Sequence, residues 1–121
     1  MEKTFKSWKS IDKQSEFLKE GERLTTLFEK SDDTIKSLAT GLIQDASYLY
    51  AENKILRAML DETGMVRVNP NNPQQQRPIE AAKQYRANCD TYSSIMGRLY
   101  RMLNTQDEEE ENDMEEFESG S

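Results

Sequence analysis

The chain has 121 residues and a formal charge of −7, with 23 carboxylates against 16 lysines and arginines, five glycines, one cysteine and no histidine. A length of this order holds one domain at most. Without histidine the commonest general base and metal ligand are gone. One cysteine excludes an internal disulfide and any multi-cysteine zinc site, and glycines that stand singly cannot build a phosphate-cradling loop.

The carboxylate pairs Asp32-Asp33 and Asp61-Glu62 read as a helix cap and a solvated helix end. A non-enzymatic protein with no cofactor and no metal is therefore expected. No run of about 18 apolar residues is present to span a membrane. The opening Met1-Glu2-Lys3-Thr4-Phe5-Lys6 lacks the apolar core of a leader. The expectation is a cytoplasmic protein without membrane attachment.

The charge is unevenly placed. Nine of the carboxylates fall in residues 107–118, DEEEENDMEEFE, which contain no basic residue. The other fourteen face sixteen basic residues, so the body is mildly basic and the end strongly acidic. An asymmetry of this kind points to interactions more than the average does.

Residues 1–20 read as an amphipathic helix. Phe5, Trp8, Ile11 and Leu18 form one broad stripe, and Lys3, Lys6, Lys9 and Lys13 share a different face. Gly21 and Thr25-Thr26 weaken the helix beyond residue 20; Leu24, Leu27 and Phe28 continue it as a short second helix. Residues 1–30 thus form a basic N-terminal segment.

Ser31-Asp32-Asp33 starts the next helix. Ile35, Ala39, Leu42, Ala46, Leu49, Asn53, Leu56 and Leu60 then alternate at spacings of four and three, a heptad-like seam. Leu38, Ile43, Tyr48, Ile55 and Met59 broaden the apolar surface to other faces. Gly64 supplies the stop. Residues 65–78, with three prolines and three asparagines, read as a loop, and Pro78 suits the first turn of a further helix.

In that helix, 79–104, Ala82, Tyr85, Cys89, Tyr92, Met96, Leu99 and Leu103 lie within about 100° on a helical wheel. Cys89 sits on this apolar seam and reads as a core thiol. Lys83, Arg86, Arg98 and Arg101 fall on another face, with Glu80 and Asp90 among them. The basic faces suit phosphate contacts, although water or a membrane surface alone also satisfies them. The expected fold is all-α: an antiparallel helical hairpin over 31–104, preceded by the basic helical segment and followed by a disordered acidic tail over 105–121.

The order of elements in 31–103 resembles the small subunit of tailed-phage terminases. The matching parts are Ser31-Asp32-Asp33, a long helix with Tyr48 and Tyr50, and Leu60-Asp61-Glu62-Thr63-Gly64. A loop with Val66, Val68 and Asn69-Pro70 comes next, and the helix from Pro78 to Leu103 closes the unit. The resemblance implies a viral DNA-recognition subunit that assembles into a ring in the host cytoplasm, binds double-stranded viral DNA and hands it to a separate large subunit with ATPase and nuclease activities.

On this reading Lys3, Lys6, Lys9 and Lys13, with Lys83, Arg86, Arg98 and Arg101, face DNA. Tyr48, Ile55 and Tyr92 contribute to contacts between copies. Asp107, Glu108, Glu109, Glu110 and Glu111 offer a tail for a basic partner. The alternative is a helical adaptor that binds only protein.

Overall fold

The computed structural model describes residues 8–119. A short 3-10 turn at Trp8–Ser10 precedes α1 (Lys13–Leu27) and α2 (Asp33–Thr63). Strands β1 (Val66–Asn69) and β2 (Asn72–Pro78) come next, and α3 runs over Glu80–Ser119. The all-α expectation holds for the described residues apart from this one small sheet.

The first helix begins later than the periodicity predicts. Asp12 has extended backbone, and its side chain accepts the Ser15 amide proton at 3.2 Å, so it caps α1 and leaves the Trp8 turn outside the helix. The apolar stripe moves accordingly. Leu18 is exposed, whereas Glu20, Leu24 and Phe28 are buried on successive turns. Gly21 does not break α1: it lies against α2, where an added Cβ would stand 3.4 Å from the Ser47 hydroxyl oxygen. A small residue at this position lets the two backbones approach closely.

The turn from Phe28 to Asp32 reverses the chain. The Asp32 side chain accepts the Ile35 amide proton at 2.9 Å and starts α2 where the acidic triplet predicts it. At the other end Gly64 takes φ 80° and its amide donates to the Leu60 carbonyl at 2.7 Å. That left-handed step is cheap for glycine and costly for most other residues.

The 65–78 connection is a β-hairpin and not an irregular loop. Val66 pairs with Pro78, Arg67 with Arg77 and Val68 with Gln76, and the register shifts at Val68/Asn69. Side chains shape the tip: Asn69 Oδ1 accepts from the Asn71 amide at 3.0 Å, and Asn69 Nδ2 donates to Gln75 Oε1 at 2.8 Å. Prolines are tolerated because both strands of a two-stranded sheet are edges. Pro78 therefore ends β2, and α3 starts at Glu80.

Helices α2 and α3 pack along each other in opposite directions: the Tyr50 and Tyr92 rings are 6.4 Å apart, and Asn53 reaches Cys89 further up α2 and further down α3. The core joins all three helices. Leu24 and Phe28 from α1 meet Ala39, Ile43 and Ala46 from α2 and Ile95 and Leu99 from α3. Residues 13–27 thus belong to the same bundle as the two longer helices and are not a separate segment.

α3 passes Asn104 and remains helical to Ser119, where the charge run predicts disorder from residue 105. Glutamate, glutamine and methionine are strong helix formers, neither glycine nor proline intervenes before Gly120, and an existing helix needs no new nucleus to extend.

Leu24 is fully buried at the point where the three helices meet. Leu24→Ala should lower unfolding stability by about 2–5 kcal/mol, read by denaturant titration of the helical circular dichroism signal. A loss within error of zero would mean that α1 is not integral to the core.

Candidate functional site

Three surface features differ in what their side chains already do. The first is the junction of α1 with the other helices. Glu20 is only 3 % exposed, an unusual place for a carboxylate. Arg23 Nε and Nη2 donate to its two oxygens at 2.5 and 3.0 Å, and the Tyr92 hydroxyl donates at 2.8 Å. Burial works to raise the Glu20 pKa, but these hydrogen bonds and the charges of Arg23 and Lys54 outweigh it and hold the carboxyl below its ordinary value. Burial together with the hydrogen bond to Glu20 pushes Tyr92 up to about 12.

Nearby, α1 and α2 are stitched by two ion pairs. Lys13 joins Glu52 and sits 4.7 Å over the Tyr48 ring. Lys54 joins Glu16 at 2.9 Å and sits 5.2 Å over Tyr50. Hydrogen bonding to these carboxylates holds both ammonium groups above the ordinary lysine value. Pairs of this exposure contribute about 0–1 kcal/mol each. They orient α1 more than they stabilise it.

This arrangement corrects the N-terminal basic face. Lys13 opens α1 and is engaged by α2, while Lys9 belongs to the preceding turn and lies over Trp8. The two do not share a helix face. Lys3 and Lys6 lie outside the described residues.

The second feature is the outer face of α3. Lys83, Arg86, Arg98 and Arg101 are all exposed on the side of the helix away from the Ala82–Leu103 seam. Lys83 stands 3.9 Å from Glu80, a contact at the outer limit of an ion pair. Arg86, Arg98 and Arg101 form no ion pair with any described residue, and the Arg101 guanidinium lies beside Gly97. Asp90 and Ser94 lie within the face, which is basic and polar, and the exposed Tyr100 borders it.

The third feature is an open apolar groove of about 640 Å³ between α1 and α2, lined by Phe17, Leu18, Gly21, Thr25, Phe28 and Ile43 among others. Leu18, Leu27 and Leu38 are more than half exposed.

The residues expected between copies divide in two. Tyr48 is half exposed and Ile55 half buried, about 20° apart on the wheel of α2. Tyr92 instead works inside the fold, with its ring near Tyr50 and its hydroxyl on Glu20. For the acidic residues from Asp107 to Glu111 the structure gives their helical backbone. Among the described residues no group of His, Cys, Asp and Glu could hold a metal ion, and no helix is long and apolar enough to cross a membrane.

Compared with protein-family models, with curated proteins and with solved structures, the chain matches none.

Helical periodicity alone does not reveal the Glu20 junction. Its signal is a carboxylate standing four residues before Leu24 and eight before Phe28, in line with an apolar stripe that begins at Phe17. A charged residue in such a line calls for partners from elsewhere.

The junction makes stability depend on pH at both extremes. Glu20 has a depressed folded pKa, so its contribution is present above its unfolded value of 4.5 and lost as pH falls through the folded one. Tyr92 is raised, so its contribution is present below 10 and lost as pH climbs toward about 12. Tyr92→Phe should cost about 1.5–3 kcal/mol at neutral pH and flatten the alkaline loss in thermal unfolding. An unchanged alkaline limb would show that Tyr92 is not the group responsible.

Proposed function

We propose that this chain is a non-catalytic DNA-recognition subunit, of the kind that assembles in tailed-phage packaging terminases and works with a separate large ATPase and nuclease subunit. The observation that carries the proposal is the outer face of α3, where Arg86, Arg98 and Arg101 face solvent without an ion pair to any described residue.

From Lys83 to Arg101 the face runs roughly 27 Å along the helix, about eight base-pair steps of duplex. Guanidinium groups suit phosphate oxygens because their donors form a fixed fork. One copy makes few such contacts, so its own affinity is low. An assembly repeats the face, and linked weak contacts multiply. The element order of 31–103 supports the same reading.

Repetition needs a contact between copies. The exposed Tyr48 beside Ile55 on α2 is a suitable place, since tyrosine tolerates a half-wet interface. In the viral packaging role the partners are double-stranded viral DNA, further copies of the chain and the large subunit, all in the host cytoplasm.

The adaptor reading has its own observation, the apolar groove between α1 and α2 with Leu18 and Leu27 exposed on α1. The two separate by salt. DNA held by three or four phosphate contacts loses affinity with a slope of roughly −3 in log–log form against salt, whereas a protein partner seated in the groove is almost indifferent.

In a fluorescence-anisotropy titration with duplex DNA, the Arg86→Glu/Arg98→Glu/Arg101→Glu variant should lose binding while keeping its helical spectrum. Retained binding by that variant would contradict the assignment of the face. For the assembly, Tyr48→Glu and Ile55→Glu should reduce the mass seen by light scattering after size exclusion. An unchanged mass would remove those residues from the interface.

A further inference from the structure

Helix α3 is one rod with opposite charge at its two ends. The stretch up to Arg101 presents Lys83, Arg86, Arg98 and Arg101 on an exposed face. The stretch 107–118 holds nine carboxylates and no basic group. The rod outruns its partner. Among the residues whose side chains are described, Met102 and Leu103 are the last of α3 packed on the core. From Asn104 to Ser119 the helix continues roughly 24 Å further.

Continuity of the helix decides how these charges are neutralised. Lys83 and Arg86 lie roughly 30–36 Å from Asp107 along the axis, and Arg98 and Arg101 roughly 9–14 Å, against a screening length of about 10 Å at 0.1 M salt. A straight helix cannot fold its acidic end back onto its basic end. The acidic end is also poorly placed on its own. Nine like charges fall within twelve residues at the C-terminal, negative end of the helix dipole, with no basic residue in the last turn. A cationic surface from outside relieves both.

We propose that the basic face of α3 is a docking site for the acidic helical segment 107–118 of a second copy of this chain. Two α3 helices lying antiparallel and crossing near Thr105 set each acidic segment against Arg98 and Arg101 of the other copy. Such a pairing is self-complementary and closes with two-fold symmetry. The acidic stretch spans roughly 17 Å, enough to cover Arg98 and Arg101, which lie roughly 5 Å apart along the axis. Charge complementarity selects this occupant over an apolar one, because the face is basic and polar. The pairing is independent of whether the same face also meets DNA, and its test contains no DNA.

The test uses the full chain in two variants. One reverses the face (Arg86→Glu/Arg98→Glu/Arg101→Glu). The other neutralises the segment (Glu108→Gln, Glu109→Gln, Glu110→Gln, Glu111→Gln, Glu115→Gln and Glu116→Gln). Sedimentation velocity at low and high salt is recorded for the wild type, each variant alone and an equimolar mixture, with circular dichroism as a check on folding.

The expected result is wild-type association that weakens as salt rises, loss of that salt-sensitive part in either variant alone, and its return in the mixture, where one copy supplies the acid and the other the base. A contact through Tyr48 and Ile55 contributes equally to all four samples and cancels. Association of the folded variants equal to wild type, or a mixture no heavier than its components, would overturn the proposal. Restoration by an unrelated basic peptide but not by the tail-neutralised copy would also overturn it, in favour of a different cationic partner.

Discussion

Glu20 enters the bundle from α1 with its charge intact, and the chain must then provide for it. An unpaired buried carboxylate costs several kcal/mol. Here Arg23, on the same helix, covers both oxygens, and Tyr92 on α3 donates to one of them. Arg23 travels with α1 wherever it goes, so it fixes nothing about tertiary position. Tyr92 lies 72 residues away in sequence, and it does. Sliding α1 by one helical turn, about 5.4 Å, would separate Glu20 from that hydroxyl. It would also move Leu24 and Phe28 out of contact with Ile43 and Ile95. Apolar packing tolerates a range of registers, and one directional hydrogen bond to a buried charge narrows the range to one.

That constraint arranges the surface. With α1 held against α2, Lys13 and Lys54 are drawn onto Glu52 and Glu16, and their charge is cancelled close to the bundle. The apolar seam of α3 faces inward, so its opposite side carries Lys83, Arg86, Arg98 and Arg101 outward. Three arginines without an ion pair to any described residue, Arg86, Arg98 and Arg101, thus share one helix face. The same helix carries the acidic end. A single element thus carries both signs along its length.

Several elements are legible in the residues alone. Asp32 and Gly64 delimit α2 because capping chemistry is local and needs no knowledge of the fold. The Ala82–Leu103 seam predicts the inward side of α3, and each of its residues is at least partly buried. The first helix is not legible in this way. Its true stripe is interrupted by Glu20, so the periodicity of Phe5, Trp8, Ile11 and Leu18 outweighs it in the sequence. The β-hairpin is hidden by prolines that rule out a central strand but not a pair of edges. The helical continuation past Asn104 sets helix propensity against like-charge repulsion, and a sequence supplies no common scale for the two. The basic residues of α3 are exposed as their spacing predicts. That Lys13 is engaged elsewhere depends on Glu52, which is distant in sequence.

The most direct measurement is a backbone amide chemical-shift titration of the isotopically labelled chain with short duplex DNA at low salt. If α3 is the recognition surface, perturbations concentrate between Lys83 and Arg101, α1 amides around Phe17 and Gly21 stay in place, and added salt reverses the shifts. Perturbations confined to the α1–α2 groove, or none along α3, would contradict it.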